Sequence, residues 1–228
     1  MIRETKNTIA RPAFVRDEAS VGVIVLAAGE SSRMGEPKQL LVYQGESLLR
    51  RAVKAAVASK CRPVIVVLGA FAGRMRAEIA DFRSITTIEN EFWAEGVASS
   101  IRAGLEFLKL KSENKAEAVV IMLCDQPFVT SGIINRLVAA YRADGDLIVA
   151  SEYDKIIGVP ALFDHQLFSE LAALRDSSGA KQIIRRHSDK TRRIAFSRGM
   201  FDVDTPQDYA RLCAGADEKN VGNLSGNN

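Results

Sequence analysis

Arg33 and Lys38 are the two cations of a stretch rich in small residues, Ala27-Ala28-Gly29-Glu30-Ser31-Ser32-Arg33-Met34-Gly35-Glu36-Pro37-Lys38, which follows a short apolar run. Small residues let a backbone come close to a ligand, and glycine permits positive φ, so such a loop can turn its N–H groups inward. With Arg33 and Lys38 added, the chemistry implied is the holding of a polyphosphate. The plainer alternative is a solvated connection whose charges face water, but that leaves the coincidence of glycines, serines and two cations unexplained. Two better-known phosphate loops do not fit. Lys38 lies three residues beyond Gly35 and is followed by Gln39, so the spacing is not G-x-x-x-x-G-K-[ST], and it is not G-x-G-x-x-G either.

Acidic candidates lie far from this loop in sequence. Asp125 follows the apolar run Ala118–Leu123 in the string Leu123-Cys124-Asp125-Gln126-Pro127, and a second set, Asp202-Val203-Asp204, precedes Thr205-Pro206. Two carboxylates from distant segments that meet at one edge of a sheet can hold Mg²⁺, with phosphate oxygens and waters filling the other octahedral positions. Taken singly, each acid also reads as a turn or helix-capping residue. Gly96-Val97-Ala98-Ser99-Ser100-Ile101-Arg102 opens a helix whose free N–H groups and hydroxyls suit an anion or nucleotide, with plain N-capping by Ser99 or Ser100 as the rival. His165 and His187 stand in no site-like string and read as surface residues.

The elements that must position these residues alternate. Val23–Leu26 is short and β-branched enough to be a buried parallel strand. A helix with apolar pairs at Leu48/Leu49, Ala52/Val53 and Ala56/Val57 follows, with Ser47 as its cap. Strands are predicted over 63–68, 85–88, 118–123 and 147–150. Helices are predicted over 71–80 and 133–141 and along the face Val97, Ile101, Leu105, Leu108. This order predicts an α/β fold with a mainly parallel sheet, in which ligands bind beyond the carboxyl ends of the strands. Gly158–Phe163 reads as a strand with Pro160 inside it, hence an edge strand or a bulge. Asp164 can cap a helix carrying Leu167, Phe168, Leu171 and Leu174. Thr205-Pro206-Gln207-Asp208 begins a last helix that offers Tyr209 and Leu212 to the core.

With 228 residues, 47% hydrophobic and 26% charged, the composition is that of a globular protein with one good-sized core. A formal net charge of +3 suits a small anionic substrate and gives no basic stripe for nucleic acid; Arg185-Arg186-His187 and Arg192-Arg193 read as solvated faces. Cys61, Cys124 and Cys213 are isolated, which points neither to a disulfide framework nor to zinc. No apolar run approaches membrane-spanning length and the N-terminus has no signal-like apolar core, so a cytoplasmic location without membrane contact is expected. Residues 1–20 and 214–228 read as loose tails around a single domain over 21–213.

The string LAAGESSRMGEPKQLL resembles the signature loop LA(A/G)G-x-S-x-RMG-x-x-K of nucleotidyltransferases related to the molybdenum cofactor guanylyl- and cytidylyltransferases. Further similarities extend from about Val21 to Leu212. Asp125-Gln126-Pro127 is similar to the family's (G/C)D-x-P strand end, whose aspartate binds the metal. Val203-Asp204-Thr205-Pro206-Gln207-Asp208-Tyr209 resembles its VDTPED segment, with Asp204 at the position of the second ligand and Asp202 outer-shell or structural.

The resemblance implies a Rossmann-like three-layer α/β/α domain that uses Mg²⁺. It implies nucleotide contacts from Leu26, Ala27, Ala28, Gly29, Ser31, Ser32 and Gly35, and catalytic roles for Arg33 and Lys38. The segment at Ser99 and Ser100 is similar to the family's G-M-S-S-S-L-R, with Ala98 replacing one serine, and Asn90 matches a position near the base pocket. Gly158-Val159-Pro160 resembles the acceptor-side G-(H/V)-P element. Arg175-Asp176-Ser177-Ser178-Gly179-Ala180-Lys181 keeps only part of a G-D-x-G-A-(R/K) loop.

The implied reaction moves a nucleoside monophosphate from a triphosphate to a phosphorylated acceptor. LAAG, rather than LAGG, points to CTP, and the acceptor implied is molybdopterin, with a molybdoenzyme or its chaperone as a protein partner. GTP or a sugar or polyol phosphate remain alternatives. So do a glycosyltransferase, since Asp202-Val203-Asp204 is an Asp-x-Asp, and a nucleotide-binding protein without catalysis.

Overall fold

The computed structural model describes residues 19–111, 116–175 and 179–224; the expected tails at 1–18 and 225–228 and the middle of the partial loop after Arg175 lie outside them. Strand β1 (Val21–Ala27) is buried at every position. A small hairpin follows, β2 (Val42–Tyr43) with β3 (Glu46–Ser47), and then α1 (Leu48–Val57). Ser47 caps α1 by accepting from the Arg50 N–H at 3.1 Å.

Then come β4 (Val64–Leu68), α2 (Ala72–Glu78), β5 (Thr86–Glu89), α3 (Val97–Lys111), β6 (Ala118–Leu123) and α4 (Ser131–Asp144). The chain continues through β7 (Ile148–Tyr153), β8 (Ile156–Asp164), α5 (Phe168–Ala172), α6 (Ala180–Arg186), β9 (Thr191–Ala195) and α7 (Pro206–Leu224).

Seven strands form one sheet in the order β5-β4-β1-β6-β8-β7-β9. The β1–β4, β1–β6, β4–β5 and β7–β9 pairings are parallel, and β8 runs antiparallel to both neighbours, so the sheet is mainly parallel as expected. Alternate residues of β1 serve opposite faces, as the two-residue period of a strand requires. Val23 and Val25 pack toward Leu49, Val53, Met75 and Leu137 of α1, α2 and α4. Ile24 and Leu26 pack toward Ile101, Leu105, Leu171 and Ile183 of α3, α5 and α6. Two cores on one sheet make the three-layer α/β/α arrangement of a single Rossmann-like domain.

Of the two alternatives for Gly158–Phe163, an edge strand or a bulge, the structure has the bulge. β8 is an interior strand, lying between β6 and β7, and not an edge. Its proline is accommodated by a bulge: the register jumps from Ala150 opposite Ala161 to Ser151 opposite Gly158, so Val159 and Pro160 are the extra residues. A bulge residue need not donate to the ladder, and Pro160 still accepts from the Ser151 hydroxyl at 2.7 Å. The true edge on that side is β9, an element that periodicity did not reveal. Its exposed Arg192 and Arg193 pair with Asp144 and Glu152.

One expectation is corrected at the C-terminus. α7 continues to Leu224, through most of the segment from 214 onward that composition marks as loose. Among the described residues, no helix is long and apolar enough to cross a membrane.

Candidate active site

A cavity of about 420 Å³ opens at the carboxyl ends of β1 and β6. Its first wall is the loop after β1. The buried Gln39 gives this loop its shape, donating from Nε2 to the Gly29 carbonyl at 2.6 Å and accepting from the Ser31 hydroxyl at 3.2 Å. Ser31, at φ 62°, also accepts from the Lys38 N–H at 3.1 Å. The serine and glutamine thereby fold the loop back on itself and carry the Lys38 side chain inward.

Lys38 Nζ donates to Asp125 Oδ2 at 2.5 Å and to Asp204 Oδ1 at 2.6 Å. Asp125 arrives directly from the end of β6. Asp204 is brought across because the Val203 N–H donates to the Asp125 carbonyl at 3.0 Å, and because Val203 is buried with Leu41, Tyr43, Leu48 and Leu212 in a small third core. A capping box then fixes the start of α7: Asp208 Oδ2 accepts from the Thr205 N–H at 2.8 Å and from the Thr205 hydroxyl at 2.7 Å. Arg33 reaches Asp204 Oδ2 at 3.1 Å from a largely exposed position.

The charges reinforce one another. Burial alone would lower the Lys38 pKa, but the Asp125 charge and the hydrogen bonds to both carboxylates outweigh it and hold the ammonium above its ordinary value. Burial would raise the Asp204 carboxyl, whereas the Lys38 hydrogen bond and the Lys38 and Arg33 charges hold it below the usual range. Asp202 behaves differently. Burial, followed by the Asp125 charge, pushes it up to about 6, against a hydrogen bond from Gln126 and the charge of Lys181.

Asp125 and Asp204 suit a divalent cation. Asp125 Oδ1 is buried with no hydrogen-bond partner, while one carboxylate oxygen from each residue lies within reach of a single ammonium. An orphaned, buried carboxylate oxygen costs free energy unless a cation or donor satisfies it. Among the described residues no group of three or more His, Cys, Asp or Glu side chains is disposed to hold a metal. A hard cation here would therefore take these two acids and complete its shell with substrate oxygens and water, which is how Mg²⁺ is usually held.

The other expected residues divide. Leu26, Ala27, Ala28, Gly29, Ser100 and Val159 line the cavity with Arg33, Lys38, Asp125 and Asp204. Ser31 is turned into the loop, and Ser32 and Gly35 are exposed on its outer side without lining the cavity. Asn90 and Ser99 form a buried clamp behind the wall. Asn90 Nδ2 donates to the hydroxyls of Ser99 and Ser100 at 2.8 and 3.0 Å, and Ser99 donates to the Gly96 carbonyl at 2.8 Å. Ser99 and Ser100 lie inside the first turn of α3, and Ser99 bonds back to the carbonyl that precedes the helix instead of capping its free N–H groups. Gly158 and Pro160 are buried beside Val159 without lining the cavity.

Sequence reasoning missed Gln39 and Gln126. Gln126 Nε2 lies within hydrogen-bonding distance of the carbonyls of Val159 and Gly199, each at 3.2 Å, and of Asp202 Oδ1 at 3.0 Å, tying three segments together. Their adjacency to Lys38 and Asp125 was the available signal.

Comparison with known proteins agrees with this geometry. Residues 23–191 match the MobA-like NTP transferase domain family. The chain is 25% identical to molybdenum cofactor cytidylyltransferase of Escherichia coli over 84% of its length and 94% of that protein. It is 32% identical to nicotine blue oxidoreductase of Paenarthrobacter nicotinovorans, over 52% of this chain and only 56% of that one. The structure of Rv0371c from Mycobacterium tuberculosis superposes with a TM-score of 0.74 at 29% identity, covering 86% of this chain and 98% of that one; the same protein has also been described in complex with manganese. With the loop, the two aspartates and a match across most of the sheet, the chain belongs to the MobA-like NTP transferase family, a nucleotidyltransferase-type enzyme domain.

Proposed function

We propose that the protein transfers a nucleoside monophosphate from a nucleoside triphosphate, CTP by preference, to the phosphate of molybdopterin, releasing pyrophosphate. The observation that carries this reading is Lys38 held between Asp125 and Asp204 on a cavity wall formed by the glycine-bearing loop. The CTP preference rests on Ala27-Ala28-Gly29 and on the similarity to the E. coli cytidylyltransferase. In this reading Leu26, Ala27, Ala28, Gly29 and Ser100 face the nucleotide, Gly158-Val159-Pro160 forms the acceptor side, and Asp125 and Asp204 hold Mg²⁺. Buried free thiols at Cys61 and Cys124 accord with a reducing cytoplasm, where a molybdoenzyme or its chaperone would receive the product.

A phosphate oxygen of the acceptor forms the new bond to the α-phosphorus as the bond to the β-phosphate oxygen breaks, and that electron pair leaves on pyrophosphate. A phosphate monoester with a second pKa near ~6 is mostly dianionic at neutral pH, so no general base is required. His165 and His187 accordingly lie elsewhere: His187 pairs with Glu170, and His165 sits beside the Asp164 cap. What the chain supplies is charge. Lys38, kept protonated by its carboxylates, and Arg33 stabilise negative charge that builds on the α-phosphoryl group and on the departing pyrophosphate. Bound Mg²⁺ would supply Lewis-acid polarisation and screen repulsion between the two anions.

The test is pyrophosphate release with Mg²⁺, molybdopterin and each of CTP, GTP, ATP and UTP. The expected result is acceptor-dependent release that is fastest with CTP. Faster release with GTP would reassign the base, and no release with any nucleotide would overturn the reading.

A further inference from the structure

Opposite the loop, the cavity is lined by Gly179, Ala180, Lys181 and Val159. Three cations face this cavity. Arg33 and Lys38 are held by carboxylates, whereas Lys181 makes no hydrogen bond or ion pair among the described residues.

The Lys181 position is nevertheless fixed. Ala180, Ile183 and Ile184 bury the inner face of α6. Gly179, at φ +54°, presses on Val97 so closely that a Cβ would stand 2.7 Å from Val97 Cγ1. The Lys181 stem lies along the bulged strand, its Cε 3.5 Å from where a Gly158 Cβ would be. A side chain at Gly158 is barred by the Tyr153 hydroxyl, 2.3 Å from that Cβ position, so the stem of Lys181 covers bare backbone there. Asp202, also on the cavity wall, feels the Lys181 charge without forming an ion pair with it.

We propose that Lys181 is the residue that binds the phosphate of the acceptor, holding the attacking dianion on the β8 side of the cavity while Arg33 and Lys38 attend to the triphosphate. This rests on the nucleotidyl-transfer reading. A dianion that must approach an already anionic triphosphate needs a cation of its own, and one whose charge is committed to carboxylates serves poorly. Lys181 supplies a charge with no ion pair among the described residues, beside the segment assigned to the acceptor. An ammonium–phosphate hydrogen bond of this kind is worth about 10- to 100-fold in affinity.

The test compares wild type with Lys181→Ala and Lys181→Arg by three measurements. The first is Mg²⁺–CTP binding followed by fluorescence of Trp93, the chain's sole tryptophan, which lies on the cavity wall. The second is the KM for molybdopterin in pyrophosphate release. The third is calorimetric binding of inorganic phosphate to the protein preloaded with Mg²⁺–CTP.

For Lys181→Ala the expected results are unchanged CTP binding, an acceptor KM raised about 10- to 100-fold, and loss of the phosphate binding heat. Lys181→Arg should restore most of both. Weakened CTP binding with an unchanged acceptor KM would place Lys181 on the triphosphate and overturn the proposal. So would phosphate binding to Lys181→Ala as tight as to wild type. Wild type that releases no pyrophosphate would sink the transfer reading instead, and the phosphate titration would still decide the role of Lys181.

Discussion

On the wall that carries Lys38, both cations are already engaged by carboxylates; across the cavity, Lys181 stands beside a bulged strand with no carboxylate partner among the described residues. The first wall is a network of charges and hydrogen bonds: Gln39 on the loop carbonyl, Ser31 on the Lys38 amide, Lys38 on two aspartates, and Val203 on the Asp125 backbone. The second is held by close contact, with Tyr153 against Gly158 and Gly179 against Val97. A preorganised charge network suits a group whose charge grows during reaction, because its dipoles need not rearrange at that moment. A closely packed wall whose cation has no ion pair among the described residues suits an acceptor that must be captured and released. On the proposed reading, the triphosphate belongs to the first wall and the acceptor to the second.

The largest expected effect is on the charged wall. Asp125→Asn removes the negative charge and exchanges one of the two oxygens, the Lys38 partner or the orphaned one, for an amide nitrogen, and should abolish metal-dependent turnover; a Mg²⁺ titration of activity like that of wild type would take Asp125 out of the site. Next, Lys38→Ala should lower kcat by about 10²-fold or more, as for the loss of one transition-state donor. Because it leaves the buried Asp125 carboxylate unpaired, it should also lower the midpoint of thermal unfolding, so the two readouts are taken together. Near-normal turnover would contradict the assignment.

On the packed wall the expected effects are on stability. Gly158→Ala should cost about 1–3 kcal/mol in denaturant unfolding, as overpacking does, and adding Tyr153→Phe, which removes the blocking oxygen, should recover much of it. No recovery would mean that the close contact does not limit the wall.

The smallest effect concerns the cap that orients Asp204. The Thr205 hydrogen bond, followed by the one from Arg211, holds the Asp208 carboxyl down at about 2, against an ordinary 3.8. A depressed carboxyl contributes stability that is present above the ordinary value and lost as pH falls toward about 2. Asp208→Ala should therefore be less stable than wild type at neutral pH by about 0.5–1 kcal/mol, as for a lost cap. The gap should close between about pH 4 and 2.

How much of this was legible in the sequence follows the same division. The charged wall announces itself because its chemistry demands particular side chains at fixed spacings: Arg33, Lys38, Asp125 and Asp204 are all recoverable from short strings. Burial in β1 and β6 was legible from runs of apolar residues. Much of the packed wall was not. Pro160 implied an edge or a bulge, and only the pairing partners of β8 decide between them. Gln39 and Gln126 act on backbone carbonyls, which leave no trace in residue type. Asn90 and Ser99 are expected as nucleotide contacts from the resemblance; that Asn90 Nδ2 donates to the Ser99 hydroxyl is a pairing that residue type alone does not reveal. α7 runs past 213 because backbone hydrogen bonding along the helix continues through residues whose composition alone suggested a tail.

The claim on which the rest depends is that Lys38, Asp125 and Asp204 converge on one metal–triphosphate. Mn²⁺ binding followed by electron paramagnetic resonance, with and without CTP, measures this directly in wild type, Asp125→Asn and Asp204→Asn. The account predicts CTP-dependent loss of the free Mn²⁺ signal in wild type and its absence in Asp125→Asn, with marked weakening in Asp204→Asn. Undiminished CTP-dependent Mn²⁺ binding in both variants would contradict it.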